Sequence, residues 1–233
     1  MIGPDPKETT ITIPLDHLVL LVPHIDDYVG EFARVTGVTP VFGGSHPGMG
    51  TKNYLVRLDS EAVSTAGNPS YLELLGLDES QPDVAPEATM FGVGRRGPDP
   101  RPALVTWAMH PADIEATAAE AAAGGVAVGT VEAWSRTAPD GSLLRWRVSM
   151  NPALPLGGLQ PFLIDWGATA HPASNPALDE IRLLGLSFET PDPEALEDAL
   201  TGLGVTDPPP IRFGLAPTIT ASLQTPSGPL ELR

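Results

Sequence analysis

The residues best suited to do chemistry are a histidine and a glutamate, each inside a short apolar segment. His17 lies in Leu15–Val22 and Glu73 lies in Tyr71–Gly76. Both segments are short and bordered by Pro, Gly or Asp, which favours a strand over a helix. An ionisable side chain in a buried strand is costly unless it is paired, hydrogen-bonded or bound to a metal. Imidazole with carboxylate suits a divalent zinc, manganese, iron or nickel ion, and a metal-free His–Glu contact is the other interpretation.

A third candidate is His46, in the glycine-rich segment from 43 to 53. Glycines allow the backbone to approach a ligand closely. Histidine titrates near neutral pH and can act as a general acid or base, and Asn53 at the end of the segment could bind a ligand. The alternative is a histidine in a surface turn.

The second half of the chain adds an arginine and an aspartate. Residues two apart on a strand share a face, so Arg145 and Arg147 lie together, and we expect Arg147 to hold a carboxylate or enolate in a groove. An outward-facing pair is the alternative. Asp165 follows an apolar run and is either a ligand-binding residue or the partner of an arginine such as Arg147.

Aromatic residues of the second half could form the wall of an apolar pocket, or they could pack in the core. These residues are Trp107, Trp146, Phe162 and Trp166. Among them, we expect Trp107 and Phe162 to contact the ligand.

The elements that position these residues repeat along the chain in the order βαβββ. Helices are predicted to begin near residues 26, 113 and 192. The repeat predicts three modules, at residues 11–80, 100–170 and 178–233, with the third shortened. We therefore expect an α+β fold, in which repeated modules form a curved half-barrel sheet with helices outside.

Composition excludes several classes of protein. The formal net charge is −16, with 13 basic against 29 acidic residues, which disfavours a nucleic-acid partner. There is no cysteine, so disulfides and thiolate chemistry are excluded. The first ten residues contain no apolar segment of a secretory signal, and no run is long enough for a membrane span. We expect a cytoplasmic protein with no membrane partner.

Several motifs together resemble the glyoxalase-like domain proteins of the vicinal oxygen chelate superfamily, which also holds glyoxalases, bleomycin resistance proteins and dioxygenases. The motifs are Asp16-His17-Leu18-Val19, His46-Pro47-Gly48, Tyr71–Gly76, Leu144–Arg147 after a Pro-Asp-Gly turn, and Pro161–Trp166. They cover residues 15 to 170, approximately, and their order and spacing carry the resemblance.

The resemblance implies a groove between two modules, with a divalent metal held by residues on the first and fourth strands of each. His17 and Glu73 match the ligands of the first module. The second module departs from the pattern, because its first strand offers Leu104 or Thr106 and its fourth strand offers Asp165, one residue out of register.

The resemblance also implies the function. We expect an enzyme of the lyase, isomerase or dioxygenase type that acts on a small oxygen-rich molecule, with Glu73, His46 and Arg147 as catalytic residues. The alternative is a metal-free protein that binds or sequesters a small molecule, and a purely structural module is the weakest option. A homodimer is an expected form, since paired dimers are common in similar folds.

Overall fold

The computed structural model describes residues 14–60, 69–97, 100–139 and 141–233. The lead-in at residues 1–10 lies outside these ranges, as do the first three residues of the predicted 11–80 module and Asp140 of the predicted Pro-Asp-Gly turn.

The described residues follow the order βαβββ three times. The first set is β1 (Leu15–Leu21), α1 (Ile25–Thr36), β2 (Val41–His46), β3 (Thr51–Asp59) and β4 (Ser70–Leu77). The second is β5 (Ala103–Met109), α2 (Ile114–Ala123), β6 (Val131–Thr137), β7 (Leu143–Ser149) and β8 (Phe162–Asp165). The third is β9 (Glu180–Thr190), α3 (Pro193–Gly202), β10 (Ile211–Phe213), β11 (Thr218–Thr225) and β12 (Gly228–Leu232).

All twelve strands belong to one curved, unclosed sheet. Its main path runs β12-β11-β9-β3-β4-β1-β5-β8-β7-β6, with β10 beside β9 and β2 beside β3. In the first set β1 pairs in parallel with β4, and in the second β5 pairs in parallel with β8. The antiparallel pairing of β1 with β5 joins the two sets. The predicted α+β class with a curved sheet is confirmed.

The third set pairs differently. Its first strand, β9, lies parallel to β10 and antiparallel to β11. It joins the rest of the sheet by a short parallel pairing with the end of β3, where Arg57, Leu58 and Asp59 face Glu180, Ile181 and Arg182.

The helices lie on one face of the sheet and enclose the main core. Phe32 of α1, Ile114 of α2 and Leu200 of α3 belong to one buried cluster with strand residues such as Leu18 and Phe188. Sequence explains where α2 begins: the Asp113 carboxylate accepts hydrogen bonds from the backbone N–H groups of Glu115 and Ala116, as N-caps do. A separate buried cluster lies on the opposite, concave face. None of the described helices is long and apolar enough to cross a membrane.

Candidate active site

A groove with one polar end lies on the concave face, between the first and second sets of strands. Its polar side chains are His17, His46, Asn53, Glu73 and Arg136. All five are at least nine-tenths buried. Four of them were singled out from the sequence, and the structure brings those four together.

Glu73 lies at the centre of the polar end and is held by Asn53. The side-chain amide of Asn53 donates a hydrogen bond from Nδ2 to Glu73 Oε1 at 2.6 Å. The amide oxygen, Oδ1, is buried and has no hydrogen-bond partner among the described residues. It lies against Gly43, where any Cβ would collide with it, so the glycine of the bulge in β2 is required by the position of Asn53.

His46 is buried beside this pair, because β2 extends through it. Nδ1 lies 2.9 Å from Thr51 Oγ1 and Nε2 lies 3.4 Å from Asn53 Nδ2. Burial lowers the pKa of His46 to about 4, against the opposing effect of Glu73. The imidazole is therefore neutral at pH 7 and accepts a proton poorly. The interpretation of His46 as a surface-turn histidine is wrong, because His46 is the last residue of β2 and only 8% of it is exposed.

His17 is oriented by a buried carboxylate. Its Nδ1 lies 2.6 Å from Asp16 Oδ1, and its Nε2 points at Glu73, 3.8 Å from Oε2. Asp16 also accepts hydrogen bonds from Trp166 Nε1 at 3.0 Å and His171 Nε2 at 3.1 Å. Burial alone would raise the pKa of the Asp16 carboxyl, but hydrogen bonds from His110, His17 and His171 lower it below its ordinary value.

Arg136 on β6 is the site residue that sequence reasoning missed. Its Nη1 donates a hydrogen bond to the carbonyl oxygen of Gly43 at 2.6 Å, which links the second set of strands to the first across the groove. A Cβ at Gly44 would collide with the guanidinium. Burial lowers the pKa of Arg136, while Glu73 raises it, and arginine stays cationic in proteins. The available signal was the two-residue spacing from Trp134, which puts both side chains on one face of β6.

The structure places Arg147 and Asp165 on the opposite face of the sheet. Arg147 Nε donates to Asp165 Oδ2 at 3.1 Å, and Nη1 lies 3.4 Å from Glu115 of α2. Their neighbours Trp146 and Ile164 line the groove instead, because successive strand residues face opposite ways. The expectation that Arg147 and Asp165 line the groove is therefore wrong, whereas the expected pairing of Asp165 with Arg147 is observed.

Trp107 is likewise outside the groove. It is fully buried in the core under the helices, where Nε1 donates to the carbonyl oxygen of Leu159 at 2.7 Å. Phe162 is in the groove as expected, edge-on to His17 with ring centroids 5.3 Å apart.

Aromatic side chains line the rest of the groove. They are Tyr71, Phe91, Trp134, Trp146, Phe162 and Trp166. The inner compartment, which these polar and aromatic side chains line together, measures about 60 Å³. A wider mouth of about 240 Å³ adjoins it and shares His46, Met90, Trp134, Arg136 and Trp146 with it. Met90 and Phe91 come from the connector between the first two sets of strands, which covers one side.

The donor set does not fit the four-ligand metal site that the resemblance implies. On the groove side of β5 and β8 the second set of strands carries apolar residues, among them Val105, Phe162 and Ile164. In the first set, the amide N–H groups of Asn53 face Glu73 Oε1 and His46 Nε2, where a cation would need free lone pairs. No group of three or more His, Asp and Glu side chains in the described residues is arranged to hold a metal ion.

Solved structures of other proteins match the chain. A crystal structure of a hypothetical protein from Staphylococcus aureus aligns over 94% of this chain and 98% of its own, with TM-score 0.64 and 13% identity. Methylmalonyl-CoA epimerase from Streptomyces coelicolor, in complex with 2-nitronate-propionyl-CoA, covers 68% of this chain and 99% of its own, with TM-score 0.48 and 21% identity. No protein with curated annotation matches the sequence.

The first of these structures shares the fold over nearly the whole chain, and the second is too distant to indicate a function. The sequence model of the family described as glyoxalase-like domain matches residues 15–204. That match spans most of the chain and includes every polar side chain of the groove. The chain therefore belongs to the glyoxalase-like domain family of the vicinal oxygen chelate superfamily.

Proposed function

We propose that the chain is an enzyme that moves a proton at the carbon next to a carbonyl group of a small oxygen-rich molecule. The reaction class is isomerisation or elimination. Glu73 is the base, and Arg136 faces the oxygen that becomes negative. The observation that carries the proposal is a buried carboxylate and a buried guanidinium in the lining of one groove.

The proton transfer involves only the substrate and Glu73. The carboxylate takes the α proton, so that a C–H bond breaks, an O–H bond forms and the electron pair moves into an enolate. The enolate oxygen lies against Arg136, whose charge is effective because the site is largely shielded from water. In a substrate with a neighbouring double bond, return of the proton to the γ carbon gives an isomer. Loss of a β-substituent with its bonding electrons, as the carbonyl re-forms, gives elimination.

The other polar residues hold Glu73 in place. Asn53 occupies Oε1, which leaves Oε2 to face the groove and His17. His46 was a candidate proton-transfer group, but with a pKa of about 4 it serves better as a neutral partner for Asn53 and Thr51. Arg136 takes the part that was expected of Arg147.

The test is proton exchange measured by ¹H NMR in D₂O. We expect the protein to accelerate exchange of the protons beside the carbonyl group of oxo acids such as pyruvate and phenylpyruvate, above the rate measured without protein. Glu73→Gln should lower this rate by about 10²-fold or more, as for loss of a general base. The matched control, Asp165→Asn, removes a carboxylate on the opposite face and should retain the rate.

A second candidate is a metal-free protein that binds or sequesters a small molecule, and the aromatic lining of the groove favours it. Saturable binding without accelerated exchange on any oxo acid would support this candidate and overturn the enzyme. A cytoplasmic location and a homodimeric state are further proposals, which cell fractionation and light scattering would test.

A further inference from the structure

We infer that the molecule bound by this groove is an aryl-substituted carbonyl acid: a flat aromatic body that carries a small anionic or carbonyl head. The inference deepens the proposed function, since it names the substrate class of the same site. Three features of the groove carry it: the size of its compartments, the aromatic and thioether side chains in its lining, and the position of its one buried arginine.

The size of the inner compartment limits what can enter the polar end. Its volume is about 60 Å³, and one water molecule takes about 30 Å³ in the liquid. A carboxylate or a carbonyl group fits there, whereas a whole substrate does not. The body of the ligand therefore lies in the adjoining mouth of about 240 Å³, which Arg136 and Trp146 also line. A larger neighbouring cavity of about 870 Å³ carries neither of these two side chains. The inner compartment and the mouth together reach the lower end of the range of small-molecule pockets, about 300 Å³.

Thioethers and indole rings make up much of the lining of the mouth. Met49 and Met90 lie in its lining with Trp134 and Trp146. The two indoles meet edge to face with centroids 6.3 Å apart, and Trp146 continues to Trp166 at 5.6 Å. Indoles and methionine sulfur both interact favourably with an aromatic ring. A flat ring gains these contacts, while an aliphatic group of similar size gains only the burial of its surface.

Arg136 selects a ligand whose head is negatively charged. Nη1 is bonded to the Gly43 carbonyl oxygen, and the guanidinium lines both compartments. A guanidinium recognises a carboxylate through paired N–H groups. The net charge of −16 would repel an anionic ligand at long range, so a local cation is needed to hold one. A ring in the mouth and a carboxylate at Arg136 describe an aryl carbonyl acid.

The test compares three 2-oxo acids by isothermal titration calorimetry on the full chain. They are phenylpyruvate, cyclohexylpyruvate and pyruvate. We expect phenylpyruvate to bind about fivefold more tightly than cyclohexylpyruvate, from the energy of aromatic pairs beyond their buried area, and pyruvate to bind most weakly. Trp146→Leu should remove the preference for the flat ring. Phe213→Leu is the control, because Phe213 is 70% exposed and lies on β10, outside the residues that line either compartment.

The outcomes separate the substrate class from the reaction. Equal affinity for the three acids, or no binding of any, overturns the aryl inference. If pyruvate still exchanges protons faster with protein than without, the proposed enzyme stands on its own. Preferential binding of phenylpyruvate without accelerated exchange supports the aryl inference and overturns the proposed reaction. Both stand if phenylpyruvate binds best and its exchange is accelerated.

Discussion

Replacement of Asp16 by Asn tests the buried carboxylate beneath the groove. Asp16 is fully buried and accepts bonds from His17, Trp166 and His171 at 2.6–3.1 Å. Hydrogen bonds to a charged group contribute about 1.5–3 kcal/mol each. Asparagine keeps one acceptor oxygen and turns an N–H group toward donors, so one or two bonds are lost. Relief of carboxylate desolvation offsets part of this loss, and we expect destabilisation by about 3 kcal/mol.

The assay is urea unfolding followed by tryptophan fluorescence, with thermal melting in parallel. For a chain of this size, 3 kcal/mol corresponds to a fall in Tm of about 6–12 °C. Asp165→Asn is the control, because Asp165 pairs with a half-exposed Arg147, and exposed pairs contribute about 1 kcal/mol or less.

The pH dependence follows from the lowered pKa of Asp16. The contribution of the carboxylate is complete above the ordinary aspartate pKa of about 3.9 and is lost as the pH falls below it. The difference between wild type and Asp16→Asn should therefore be largest near pH 7 and should shrink in the acid range. A variant that melts together with wild type at pH 7, or a difference that grows toward acid, would refute the reasoning.

Three further predictions concern the groove and its surroundings. Gly44→Ala should destabilise the fold by about 2 kcal/mol, because φ is +136° there, and should weaken phenylpyruvate binding by displacing Arg136. The control is Gly185→Ala on β9, which has open space at its Cβ and should change neither property. Equal phenylpyruvate binding in both variants would contradict the placement of Arg136 in the binding site. Thr106→Val should be neutral or stabilising by about 1 kcal/mol in urea unfolding, because the buried Thr106 hydroxyl has no hydrogen-bond partner among the described residues; a clear loss of stability would reveal a partner. Calorimetric titration of the wild type with zinc should show no tight stoichiometric site at Glu73, since the donor set is incomplete. A stoichiometric zinc site that is lost in Glu73→Ala would contradict this prediction.

Sequence pattern was sufficient for the elements and for the polar end of the first set of strands. His17 and Glu73 stand in short apolar segments, and alternation along β1 and β4 brings both to the groove face. The family resemblance also predicted the curved sheet. These predictions succeed because they depend on local pattern and on strands that carry a single strong signal.

The second set of strands was harder because its faces depend on register. Arg147 was expected in the groove and Arg136 was not considered, whereas the structure shows that the even-numbered residues Trp134, Arg136, Trp146 and Val148 of β6 and β7 line the groove. A shift in register between β1 and β5 likewise turns Trp107 into the core. A shift of one residue exchanges the two faces of a strand, and neither spacing nor composition fixes it. Gly43 and Gly44 resemble a turn in sequence, and only the positions of Asn53 and Arg136 explain them as a bulge.

The short parallel pairing of β3 with β9 has a consequence for how the chain folds. Arg57–Asp59 pair with Glu180–Arg182, more than a hundred residues later, so this segment of β3 has no strand partner on that side while the intervening chain assembles. Contacts between such distant residues form slowly, and an unpaired strand edge is a template for pairing with another molecule. Refolding yield should therefore fall as protein concentration rises, with the newly made chain most prone to aggregation before β9 docks.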